Sequence, residues 1–139
     1  MAKGRLAGVV GAMLLMAGPV MAPAPTAANT DDAAAASAVQ RHVDAYESGS
    51  LDAFVATFTP DATVVGNGMI AKGRTQIRAL YAANFVPDAP TIRITESGMN
   101  GEKVYLRVAY DLDDGSSVCC SYSEYTVRNG KIAYLVAVG

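Results

Sequence analysis

An α+β domain is the fold class that this sequence predicts, and three observations predict it. Apolar residues recur at helical spacing between Val39 and Tyr81. From Pro90 onward they alternate with polar ones at period two. In that second region Asn100-Gly101, Asp114-Gly115 and Asn129-Gly130 separate four strand-like runs, and Asx-Gly pairs are strong hairpin signals. Helices first and a meander afterward place three N-terminal helices against one curved antiparallel sheet. At 139 residues the chain holds one such domain and is too short for two.

The first helix starts near Asp31–Ser37, where both named residues are plausible caps, and ends at Ser48-Gly49. Val39, Val43 and Tyr46 form its buried stripe, His42 lies beside that stripe, and Arg41, Asp44 and Glu47 take the wet face. Ser50 caps a second helix, with Asp52 in its first turn, where the helix dipole favours an acid. Leu51, Phe54, Val55 and Phe58 form its apolar face, and Pro60 stops it. Thr63-Val64-Val65 reads as a strand, Asn67-Gly68 as a two-residue turn, and Met69-Ile70 as the return strand. A third helix follows Gly73, turns Ile77, Leu80, Tyr81 and Asn84 inward, and closes at Phe85-Val86-Pro87.

The meander comprises Thr91–Met99, Lys103–Leu112, Val118–Arg128 and Lys131–Val138. Neighbouring strand residues face opposite ways. Leu106, Val108, Tyr110 and Leu112 therefore share one face, and Tyr105, Arg107 and Asp111 the other. On the next strand Cys119, Ser121, Ser123 and Tyr125 alternate onto a single face. That face either looks inward, giving a cavity a few placed polar groups, or is one residue out. In the second case Val118, Cys120 and Tyr122 are inside.

Lys3 and Arg5 precede an apolar run, Leu6 to Ala17, and the small-residue stretch VMAPAPTAA. A basic start, a short apolar run and a small-residue exit describe a secretory signal peptide over residues 1–28, with cleavage after Ala22 or Ala28. The run is too short to span a bilayer, which takes about 20 residues. Residues 29–36 read as a flexible lead-in, and residues 37–139 as the domain. The expected location is periplasmic or secreted, with no membrane attachment after cleavage.

The formal charge of −2 includes Lys3 and Arg5 and no acid within residues 1–28, so cleavage makes the chain more acidic. That balance argues against nucleic acid and anionic membranes as partners, both of which need basic patches. Cys119 and Cys120 are the only cysteines, and strand alternation points them apart. Two buried or half-buried thiols are expected, with an intermolecular bridge across a dimer as the other reading. Asp111, Asp113 and Asp114 fall at a hairpin turn and lack the spacing of a calcium loop. One His and two vicinal Cys do not compose a zinc site. The expectation is no metal and no cofactor.

Several pieces together, SGSLDAF, FTPDATV, KGRTQIRALYAAN and RNGKIAYLVAV, resemble the nuclear transport factor 2-like superfamily in its SnoaL-like and ketosteroid-isomerase-like branch. The resemblance covers residues 37–139 and rests on fold signatures, with no catalytic motif among them. It implies a cone-shaped curved sheet around one long helix, with an apolar cavity inside. Homodimers are common in the superfamily, and here Tyr105, Arg107, Tyr122, Ile132, Tyr134 and Val136 are the expected contact patch.

Ketosteroid isomerases use an Asp base with an oxyanion hole of Tyr and a protonated Asp. Carried over, the base position is Gly66, the oxyanion Tyr position is His42 and the second acid is Ser123. Glycine cannot move a proton, so that mechanism does not transfer.

Two functions remain open. One is a small-molecule pocket protein doing acid/base chemistry on an apolar, carbonyl-bearing ligand, with His42 as donor or base. Ser121, Ser123 and Tyr125 would orient that ligand, and Tyr46, Met69, Leu106, Val108, Tyr110 and Leu135 would line its pocket. The other is a non-catalytic binding or dimerisation module, in which His42 is a packed core histidine. An acid within reach of His42 favours the first.

Overall fold

The structure, a computed structural model, describes residues 30–139. The expected signal peptide lies outside the described residues. Helix α1 spans Thr30–Glu47. It therefore takes in residues 30–36, which the sequence reading leaves as a lead-in. Ala33–Ala36 are the strongest helix formers, and Asp31 and Asp32 occupy the first turn, where the dipole favours them. Its buried residues are Ala35, Ala38, Val39, His42 and Val43, so the histidine belongs to the inward stripe.

Helix α2 (Leu51–Ala56) begins as expected, with the Ser50 hydroxyl accepting from the Ala53 N–H at 3.1 Å. The chain then enters β1 (Phe58–Gly66), turns at Asn67-Gly68, and returns as β2 (Met69–Lys72). Asn67 and Gly68 both have positive φ, at 50° and 80°, as the tight hairpin turn requires. Helix α3 (Gly73–Tyr81) and a 3₁₀ turn (Ala82–Asn84) follow. The meander is β3 (Thr91–Asn100), β4 (Lys103–Asp111), β5 (Ser117–Arg128) and β6 (Lys131–Val138).

The six strands form one curved, unclosed sheet in the order β2-β1-β6-β5-β4-β3, with the three helices packed on it. Every neighbouring pair is antiparallel except β1–β6, which is parallel. The sheet is therefore mixed where the hairpin signals suggest a purely antiparallel one. Those signals specify only neighbours joined by tight turns. The β1–β6 pair joins strands separated by the whole middle of the chain.

Four register shifts bend the ladders, as β-bulges do, one of them on β3 between Ile94 and Glu96. Between Phe58 and Thr63 the β1–β6 pairing breaks, and Pro60, which has no N–H to give a ladder, sits in the gap. The freed Phe58 carbonyl is taken up by the Arg74 guanidinium from α3. Opposite, the Ile132 N–H donates to the Thr57 carbonyl at 2.9 Å.

On β6, Thr126 faces Tyr134 but Val127 faces Ile132, leaving Ala133 as the extra residue. Alternation restarts there. Ile132 consequently points into the core, fully buried, and is removed from the expected contact patch, while Leu135 also faces inward. On β5, Val108 faces Ser121 but Ala109 faces Cys119, so Cys120 is the extra residue. Ser121, Ser123 and Tyr125 keep the core side, and Cys119 leaves their face. The two sulfurs are bonded to one another across a cis peptide bond, not left as free thiols. The strand alternation on which that expectation rested fails at the bulge.

The core fills the space between helices and sheet. Val39 and Val43 of α1 meet Phe54 and Val55 of α2, Ile77 of α3 and the inward residues Val104, Leu106, Val108, Tyr125, Ile132 and Leu135. Phe54 is the hub: its ring centroid lies 4.7–5.6 Å from those of His42, Tyr46, Phe58, Tyr81 and Phe85. Among the described residues, no helix is long and apolar enough to cross a membrane.

Candidate ligand cavity

The helices do not fill the whole inner face of the sheet. A cavity of about 100 Å³ remains between α1, α2, α3 and strands β3–β6. Leu106, Val108, Leu135 and Ile92 contribute its apolar wall from the sheet, and Val43 and Phe54 from the helices. Its polar atoms come from Tyr46, Tyr81, Tyr110 and Tyr125, from Ser123 and Asn84, and from His42. A wider groove of about 440 Å³, lined by Glu47, Phe85, Val86 and Pro90 among others, adjoins it and shares Tyr46, Asn84 and Ile92. The Asn84 amide donates to the Tyr46 hydroxyl at 3.4 Å, so this pair stands between cavity and groove.

Most of the expected lining is brought together here: His42, Tyr46, Leu106, Val108, Tyr110, Ser123, Tyr125 and Leu135. Two residues are not. Met69 is 52% exposed on β2, which pairs only with β1 at the sheet's edge and so lies away from the cavity. Ser121 is buried one layer behind the lining, its hydroxyl 3.0 Å from that of Tyr110, and so positions that tyrosine. Phe54, Tyr81, Asn84 and Ile92 join the lining without having been assigned to it. For Tyr81 and Asn84 a signal existed, since helical spacing from Ile77 turns them inward. For Ile92, on the outermost strand, only the curvature of the sheet supplies one.

Burial sets the electrostatics. His42 is 4% exposed and packed among Phe54, Phe58 and Tyr125, with ring centroids 4.7, 5.1 and 5.3 Å away. Desolvation of the imidazolium lowers its pKa from 6.5 to about 3, so the ring is neutral. Burial raises the Tyr81 phenol well above its ordinary value, with the nearby phenols of Tyr125, Tyr110 and Tyr46 adding to the rise. Tyr125 is likewise raised by burial, against an opposing contribution from the Ser123 hydroxyl. These phenols stay protonated and act as hydrogen-bond donors.

None of the lining residues is acidic. Nor does any group of three or more His, Cys, Asp or Glu among the described residues stand ready to hold a metal. Gly66, the isomerase-base position, packs so closely on β6 that an added Cβ would meet the Ala137 carbonyl oxygen at 2.9 Å. Its backbone occupies the room that a base would need.

A family model for the SnoaL-like domain matches residues 39–135. The chain is a SnoaL-like domain protein. This places it in the nuclear transport factor 2-like superfamily. A proposed polyketide cyclase from Sinorhizobium meliloti is 27% identical, with a TM-score of 0.64 over 73% of this chain and 93% of that one. A protein of the same fold and unknown function from Mesorhizobium loti is 18% identical, with a TM-score of 0.68 over 81% and 95%. A protein with a ketosteroid-isomerase-like fold from Catenulispora acidiphila, solved with trimethylamine, is 19% identical, with a TM-score of 0.60 over 72% and 82%. The last two show likeness of fold alone. No protein of curated function matches the sequence.

Proposed function

We propose that this SnoaL-like domain binds a small, largely apolar ligand and does not transform it. The observation that carries the reading is the company of His42: a neutral imidazole, among aromatic rings, in a cavity whose described lining has no carboxylate. A general base works best with a pKa near the operating pH. One lowered to about 3 accepts a proton too weakly for that role. The acid/base reading would need a partner that the lining does not supply. Binding needs only what is present, an apolar wall and a few placed hydrogen-bonding groups. The four phenols offer donors to a carbonyl oxygen, and the 27% identity to a proposed polyketide cyclase supports a carbonyl-bearing ligand.

Titration of the protein with small aromatic ketones, followed by NMR, tests this reading. Shifts confined to Tyr46, Tyr81, Tyr110 and Tyr125, with the ketone recovered unchanged, are the expected result. Shifts scattered over the surface, or turnover abolished by His42→Phe, would sink it.

We also propose that the protein is exported and forms homodimers. Export is supported by the leader pattern of residues 1–28. Self-association is supported by Tyr134 and Val138, which are 41% and 57% exposed on β6. On the same outer face Arg107 and Glu96 pair with one another at 3.4 Å, which leaves these apolar groups as the part of the face that a second copy would cover.

A further inference from the structure

The side chain of His42 makes one hydrogen bond, between Nδ1 and the Thr57 hydroxyl oxygen at 2.9 Å. A threonine hydroxyl has a single proton to donate. Here that proton is already committed, because Thr57 Oγ1 donates to the Phe54 carbonyl at 2.6 Å. Thr57 therefore accepts from His42, and the proton on the imidazole sits on Nδ1. The neutral ring carries only one such proton. Nε2 is left as a bare lone pair. No hydrogen bond from any described residue reaches it.

An unpartnered acceptor on a side chain nine-tenths buried calls for an explanation, since such groups nearly always find a partner. The protein invests a threonine, placed by the end of α2, in holding this tautomer. His42 also lines the cavity. Around the cavity the other polar groups are four phenols, the Ser123 hydroxyl and the Asn84 amide, each with a proton to donate. Nε2 is the complementary group, an acceptor.

We propose that His42 Nε2 accepts a hydrogen bond from the bound ligand, so that the cavity selects small apolar molecules carrying a hydroxyl or N–H group. The inference rests on the ligand-binding reading above and narrows it. A molecule bearing both a carbonyl and a hydroxyl uses phenols and imidazole together. A molecule of the same shape without a donor leaves Nε2 unpaired and binds more weakly.

The test uses phenol and its methyl ether, anisole, as probes on the full chain. With ¹⁵N-labelled protein, long-range imidazole correlations should show Nδ1–H and an unprotonated Nε2 in the free state. Phenol should move the Nε2 resonance and bind about tenfold more tightly than anisole, the scale of one hydrogen bond between buried partners. In His42→Phe, which keeps a ring in place, that preference should fall to about one. Thr57→Val should scramble the tautomer, while Thr57→Ser should keep it.

A free-state Nε2–H tautomer would overturn the proposal directly, with no variant required. Equal binding of phenol and anisole to the unmodified protein would leave the cavity reading standing. It would show that water serves Nε2, and the donor site would fall. Binding of neither probe would remove both.

Discussion

Strands β4 and β5 carry tyrosines on both faces, and the two faces treat them differently. On the outer face, the Tyr105 hydroxyl donates to Glu96 at 2.9 Å and the Tyr122 hydroxyl to Glu124 at 2.8 Å. The two rings stack, with centroids 5.7 Å apart, and the Arg107 guanidinium lies over Tyr122. Asn100 completes the set by donating to Glu124 at 2.7 Å. Each polar group there has a neighbour on the same sheet.

On the inner face Tyr46, Tyr110 and Tyr125 have one polar neighbour each, in Asn84, Ser121 and Ser123, and otherwise the phenols meet apolar walls and one another. Tyr81 has no hydrogen-bond partner among the described residues, and His42 keeps a free lone pair. A self-satisfied network asks for nothing further, whereas buried groups left wanting point to a molecule that completes them. The contrast is in keeping with the two proposals, a small molecule bound inside and a second copy against the outer face.

The difference also predicts how unequal the two faces are in energy, and the sharpest break is at the inner hub. Phe54→Ala removes a ring that touches five others, and Phe→Ala changes in cores cost about 3–5 kcal/mol. Urea unfolding should show a loss of that size. A loss below about 1 kcal/mol would mean that the cavity collapses around the gap.

Next in size is Gly66→Asp, which restores the carboxylate of an isomerase where Ala137 leaves no room. Overpacking of this kind costs about 1–3 kcal/mol. The melting temperature should fall, and no steroid isomerisation should appear. Gain of isomerase activity in this variant would show that the site needs only its base to become catalytic.

The pH dependence of stability tests the inner face without any substitution. His42 has a folded pKa of about 3 against an unfolded value of 6.5. As pH falls below 6.5 the unfolded chain takes a proton that the folded one refuses, so stability drops until the folded value is reached. Between pH 7 and pH 5 the loss should be about 2 kcal/mol, and His42→Phe should abolish it. A flat profile over that window would place His42 in contact with solvent.

Smallest in folding energy is the outer face. Replacing the exposed Tyr134 and Val138 with Asp should change monomer stability by no more than about 0.5 kcal/mol, as surface substitutions do. The same change should convert dimer to monomer in sedimentation. If the unmodified protein already sediments as a monomer at micromolar concentration, the outer face has no such partner.

Much of the architecture is a local property and was legible residue by residue. The stripe Val39–Val43–Tyr46, the Ser50 cap and the Asx-Gly turns act over a few positions, so they specify helices, starts and hairpins wherever they occur. The inward set Leu106, Val108 and Tyr110 follows from alternation along one uninterrupted strand. Of the eight expected residues that line the cavity, all but Leu135, which follows the bulge on β6, stand on such stretches, with His42 among them on α1.

What the tertiary structure alone decided lies at places where local rules are interrupted or distant segments meet. The bulges at Cys120 and Ala133 reset alternation, which turned Cys119 out and Ile132 in, and no composition marks them. The parallel β1–β6 pairing brings Gly66 against Ala137, and helix packing brings Thr57, 15 residues away, onto His42. Whether His42 was base, packed core or hydrogen-bond acceptor depended on that contact. Its chemistry follows from desolvation and from the direction of one threonine proton, both consequences of three-dimensional neighbours and not of spacing along the chain.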